Sequence, residues 1–203
     1  MGTSSFRPVV LRNDVGVEDP MAVALAFVES YSHLEAGGSA GPSSFDESDL
    51  RRANRGGARI SAAEIAAILE RRRAIERRLR AIAPDASLAA SGSSVPWLPL
   101  RQLFDAFADI RGVGCSKMTK ALHPKRPALV PMLDSVVQTY LVDDDPGPQA
   151  PFGERSLALV RGYKRDLDRN RAALRAIHRE LARRGHRLSE TRILDLLIWS
   201  VAT

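Results

Sequence analysis

Cysteine is nearly absent from this chain: Cys115 is the single one in 203 residues. One thiol excludes an internal disulfide framework and any multi-cysteine zinc or cluster site, and it fits a reducing compartment. Aromatic residues are scarce too, at 5%. That disfavours single-strand nucleic-acid binding on stacked rings, which needs several exposed aromatics. No apolar run is long enough for a membrane span. The most apolar window, "ILDLLIWSVA", carries Asp195 and is about half of the roughly 20 residues needed. The opening "MGTSSFRPVV" lacks the basic head and apolar core of a signal peptide, and Phe6 stands where a myristoylation pattern needs Ser or Thr. Walker loops, nucleophile elbows and His-Glu-x-x-His patterns are missing, and His123, His178 and His186 are too scattered for a metal site. The expectation is a soluble cytoplasmic protein with no cofactor, no metal and no membrane association.

What the chain has is positive charge and helical periodicity. Formal net charge is +6, with a sequence pI of about 10.1. A basic balance of that size favours an acidic partner, of which nucleic acid is the commonest. Hydrophobic content of 44% is that of a globular chain able to bury a core.

Helix signals dominate from one end to the other. After Pro20, Met21, Leu25, Val28 and Tyr31 recur at three- and four-residue spacings, before a Gly- and Ser-rich surface loop at "EAGGSAGPSSFDE". A short helix is expected at "DESDLRRAN", ended by Gly56 and Gly57. Ser61 and Glu64 form an S-x-x-E capping box opening a helix that carries Ile65, Ile68, Leu69, Ile75, Leu79 and Ile82 and stops near Pro84. "APDASLAASGSSVP" reads as a linker, and "WLPLRQLFDAFADI" returns to helix. A second loop at "VDDDPGPQAPFG" precedes one long helix from about Ser156 to Arg184, with Val160, Leu167, Leu174 and Leu181 inward. Arg161, Lys164, Arg165, Arg169, Arg171, Arg175, Arg179 and Arg183 are placed on its solvated outer face. Ser189 caps a last, buried helix. Only "RPVVLR" has the composition of a strand. The fold class is all-α with about seven helices, a C-terminal pair closing against the N-terminal helix. A single domain is expected. It has room for two lobes, one central over roughly 61–142 and one terminal from 1–60 with 156–203.

The informative stretch is "IRGVGCSKMTKALHPKRPALVPMLDSVV", residues 110–137. A helix, a Gly-x-Gly turn and a second helix starting at the second glycine make a helix-hairpin-helix candidate. Glycine lets such a turn take positive φ and lie close to another backbone. The first amides of the following helix have no internal partner and can donate to a phosphate, aided by the helix dipole. Gly112, Gly114 and Ser116 would supply that grip. Lys117 and Lys120, one turn apart, would add salt-sensitive contacts, with Lys125 and Arg126 from the Pro-bounded loop. The same glycines also suit a plain turn between two core helices. Asp134 directly precedes a helical pattern and reads equally as an N-cap or as a carboxylate with chemistry to do. Asp195, in the most apolar helix, is either paired with Arg192 one turn back or a second functional acid.

"IRGVGCSK…VPMLDSVV" resembles the core of the helix-hairpin-helix superfamily of base-excision DNA glycosylases. Gly112 to Asp134 has the length of that family's segment without a gap. The resemblance implies that Gly112 and Gly114 hold the phosphate 3′ of a flipped nucleotide and that Asp134 is the catalytic carboxylate. The position of the lysine nucleophile of bifunctional members holds Ser116, and Lys117 points about 100° away around a helix, so lyase chemistry is not implied. Ser135 and Val136 replace the Thr-His pair that commonly follows the family's Asp, and the cluster cysteines are absent. The whole chain also resembles an uncharacterised bacterial family of unknown function, sharing its "GVG…K.LH.KRP.L.P..D" centre and "RILDLLIW"-like end. Three functions are therefore open. The first is a duplex-DNA-binding protein acting as a monofunctional N-glycosylase; the second is a non-catalytic DNA-binding module. The third is a helical protein-interaction domain whose basic surface meets an acidic protein.

Overall fold

Ten α-helices, four short 3-10 turns and one minimal hairpin make up the regular structure of the described residues, 8–35 and 41–202, in a computed structural model. Residues 1–7, which carry the myristoylation reading and most of the signal-peptide reading, the Gly-rich part of the first loop at 36–40 and the side chain of Tyr31 lie outside the described residues. The class is mostly helical, with one tiny hairpin beside the helices. Strand β1 (Val9–Val10) pairs antiparallel with β2 (Gly16–Val17). The composition of "RPVVLR" foretold the first strand. Its partner follows because Asn13 and Asp14 take positive φ, 57° and 56°, and reverse the chain, a conformation their short polar side chains tolerate.

The helices are α1 (Pro20–Glu35), α2 (Glu47–Arg55), α3 (Ala62–Glu70), α4 (Arg72–Arg80), α5 (Trp97–Asp105), α6 (Cys115–Leu122), α7 (Ser135–Tyr140), α8 (Phe152–Arg169), α9 (Arg171–Arg183) and α10 (Glu190–Ala202). Two of the expected helices are each broken in two, with a local cause at each break. The expected helix over 62–82 tightens at Arg71, whose N–H bonds the Ile68 carbonyl and whose own carbonyl accepts from both Ala74 and Ile75. Ile68, Ile75, Leu79 and Ile82 stay buried across that bend. The expected long C-terminal helix breaks at Asn170. Its side-chain amide accepts from Val10 N–H at 2.8 Å and donates to the Val10 and Asp166 carbonyls at 2.9 Å. An asparagine engaged as a surrogate strand partner for β1 takes the helix out of register there.

Caps fall where the sequence places them. Asp46 and Asp49 form a capping box on α2, Ser61 and Glu64 form one on α3, and Ser189 accepts from Arg192 N–H at α10. Gly185 ends α9 at φ +85°. α1 packs on α9 and α10, α10 also on α7, α5 on α8 and α4, and α2 on α6. One continuous apolar core results, with Phe45 and Phe107 in edge-to-face contact at 6.0 Å.

Two expectations change sign from solvent to interior. Residues 83–96, read as a linker, are stitched to the body. Leu88 is buried, its N–H donates to the Ala128 carbonyl, and the Leu88 and Ala90 carbonyls accept from Lys164 Nζ at 2.9 and 3.1 Å. Lys164, placed on the outer face with the arginines, is therefore buried together with Asp166. Arg161, Arg165, Arg169, Arg175 and Arg179 do face solvent. No described helix is long and apolar enough to cross a membrane.

Candidate nucleic-acid interface

The turn between α5 and α6 is anchored by what it buries. Phe107, Ile110 and Val113 point into the core, and Val113 N–H bonds the Ile110 carbonyl at 3.0 Å. Asp109 and Gly112 take positive φ, 61° and 82°, which fold the chain back before α6. Gly114 then adopts an extended conformation as the N-cap of α6, exposed and with open space where a Cβ would stand. No side chain caps α6, so its first amides keep their donor capacity toward the outside.

Helix α6 is amphipathic across that start. Cys115, Met118, Thr119 and Leu122 are buried, while Ser116, Lys117 and Lys120 are half-exposed. Cys115 Sγ lies 3.0 Å from Ser156 Oγ, joining α6 to α8, and burial pushes the thiol pKa up, so it is not a ready nucleophile. Thr119 Oγ1 donates to the Cys115 carbonyl and accepts from Leu133 N–H, tying the later segment to α6.

Neither lysine stands clear of the protein. Lys117 Nζ donates to both Glu64 oxygens at 2.7 Å, and Lys120 Nζ to the Gly57 carbonyl at 3.3 Å. The turn at 111–114 and the α2–α3 connection at 56–61 therefore lie side by side. Exposed Arg59 and Arg111, one in each turn, extend the basic rim; the sequence reading passed over both. A basic residue beside a turn glycine was the available signal.

Lys125 and Arg126 do not belong to that rim. The side chains of Lys125 and Asp49 are fully buried as an ion pair at 2.8 Å. Arg126 is fully buried, donating to the carbonyls of Pro42, Lys125, Leu79 and Ile82 at 2.5–2.7 Å. The last two close the C-terminal turn of α4, where carbonyls lack helical partners. Prolines 124 and 127 bound this segment as a packed corner instead of an exposed loop.

Asp134 caps α7: its Oδ1 accepts from Val137 N–H at 3.1 Å and its Oδ2 from the Trp199 indole at 3.0 Å. It is 7% exposed. Asp195 sits nearby, buried, accepting from Met132 N–H at 3.3 Å with Arg192 at 3.9 Å, so the pairing with Arg192 is present. Burial pushes its pKa up to about 7 against the pull of Arg192 and the Met132 amide. Arg192 also lies over the Phe27 ring at 4.7 Å. Among the described residues no group of three or more His, Cys, Asp or Glu is placed to hold a metal ion. An open groove of about 600 Å³ runs between α5 and α8, lined by Trp97, Leu98, Arg101, Glu154, Leu157 and Arg161 among others. Neither Asp134 nor the glycine turn is on its walls.

Residues 25–202 match a family of unknown function (DUF6308), and the chain belongs to that family. No curated protein and no solved structure matches it.

Proposed function

We propose that this member of a family of unknown function is a non-catalytic duplex-DNA-binding module, gripping the phosphate backbone at the turn that opens α6. In this reading α5, the turn and α6 serve as a helix-hairpin-helix. The observation that carries it is Gly114: exposed, extended, with open space on its Cβ side and a helix behind it that no side chain caps. A phosphate oxygen there meets outward amides and the positive end of α6. Lys117, Lys120, Arg59 and Arg111 surround that point with charge, and Ser116 offers a hydroxyl at its second helical position.

Base cleavage is left out of the reading for a geometric reason. The resemblance to glycosylases makes Asp134 the catalytic group, yet both of its oxygens are engaged within the chain, and the groove described above lies elsewhere. Lys125 and Arg126 hold the fold and take no phosphate.

Titration of a fluorescent duplex at several salt concentrations tests this, comparing the wild type with Gly114→Ser. Serine suits an extended N-cap and would cap the amides itself, so the fold is kept while the phosphate loses its donors. Affinity should fall steeply with salt and drop about tenfold in the variant, whose thermal stability is undiminished. Absence of binding at low salt, or binding indifferent to the serine, overturns the reading.

A further inference from the structure

An anion of the chain itself already lies against the glycine turn. Glu64 projects from the first turn of α3 against Gly112, where an added Cβ would collide with the carboxylate. One oxygen accepts from Ser61 N–H at 2.8 Å, as a capping box requires. The box needs no more than that. Both oxygens are nevertheless taken by Lys117 Nζ at 2.7 Å, a residue of the helix that the turn opens. The contact with Lys117 is the main reason the Glu64 pKa is lowered, so the group is an anion at neutral pH. Its side chain is 13% exposed and that of Lys117 23%, so the pair lies at the rim, within reach of an incoming backbone.

Resting on the DNA-binding reading, we propose that Glu64 is a built-in competitor for phosphate. It neutralises Lys117 and crowds Gly112 in the free protein, and it must swing away for a DNA backbone to engage the turn. Arrival of phosphate exchanges one anion on Lys117 for another. The affinity of the wild type is the surplus of the phosphate contacts over this internal one. The other helix start at the site, that of α3, is closed by its own box. The competitor lies beside the start of α6 and holds that helix's Lys117.

Glu64→Gln isolates the idea, because glutamine still accepts from Ser61 N–H and keeps the box. Glu70→Gln, at the exposed end of the same helix, makes the same change in net charge and is the control. Glu64→Gln should bind duplex DNA about tenfold more tightly. The slope of log affinity against log salt should change by less than about 0.9, the value for one phosphate contact, because Lys117 meets the phosphate in both complexes. The gain should vanish in a Lys117→Ala background. A Glu64→Gln protein indistinguishable from Glu70→Gln, or a gain that survives Lys117→Ala, overturns the competitor. If the wild type binds and Gly114→Ser weakens it, such a result leaves the DNA-binding reading standing. If neither the wild type nor Glu64→Gln binds at low salt, both fall.

Discussion

Trp199 donates its indole N–H to Asp134 Oδ2 at 3.0 Å across 65 positions of sequence, so the last helix is fastened to the cap of α7. The carboxylate does two structural tasks at once, because its other oxygen accepts from Val137 N–H.

Asp134→Ala should therefore cost about 2 kcal/mol, the loss of an N-cap plus one acceptor for the indole. Asp134→Asn, which keeps an oxygen for the cap, should cost less than about 1 kcal/mol. Urea unfolding followed by circular dichroism distinguishes the two. Equal losses would mean that the negative charge, not the hydrogen-bond geometry, is what α7 uses.

Lys125 and Asp49 form an ion pair with both side chains fully buried. Lys125→Ala strands a carboxylate inside the protein and should destabilise it by about 3–5 kcal/mol. The double variant Lys125→Met with Asp49→Asn should recover most of that, since asparagine still accepts from Asp46 N–H in the capping box of α2. Thermal unfolding of the three proteins reads this directly. A double variant worse than the single one contradicts it.

His123 and Asp195 have opposite burdens. Burial holds His123 down at about 4, with Arg192 adding to the effect, and raises Asp195 to about 7. Native His123 binds fewer protons than the unfolded histidine, so its contribution is complete above about 6.5 and is lost as pH falls toward 4. Native Asp195 binds more protons than the unfolded aspartate, so its contribution is present at low pH and is lost as pH rises from about 4 through 7. The two slopes oppose each other between pH 4 and 6.5. Asp195→Asn should unmask stability that rises with pH there. His123→Gln should unmask stability that falls. Unfolding free energies at half-unit pH steps decide it; unchanged slopes in both variants would rule the pair out.

Local chemistry was what the sequence made plain. Ser61, Glu64, Ser189 and Gly185 mark helix ends because capping involves residues a few positions apart. The apolar residues of α3, α4 and α10 announce their buried faces for the same reason. What stayed hidden depends on partners far along the chain. Asn170 breaks a helix to serve Val10, 160 positions away, and nothing near Asn170 encodes that. Lys125 and Arg126 look like any solvated basic pair until Asp49, Pro42 and α4 close around them. At the candidate interface, the Gly-x-Gly turn was legible from spacing, whereas Glu64 was legible only as a cap. Its second contact, Lys117, lies 53 residues on.

Arg126 has a consequence for how the two halves of the chain depend on each other. Its guanidinium satisfies the carbonyls of Leu79 and Ile82, which lie 47 and 44 positions earlier. The nine residues of α4 are too few to hold a helix alone in water, so its C-terminal end draws on that later segment. Arg126 thus makes the stability of the first half of the chain depend on contacts that the second supplies.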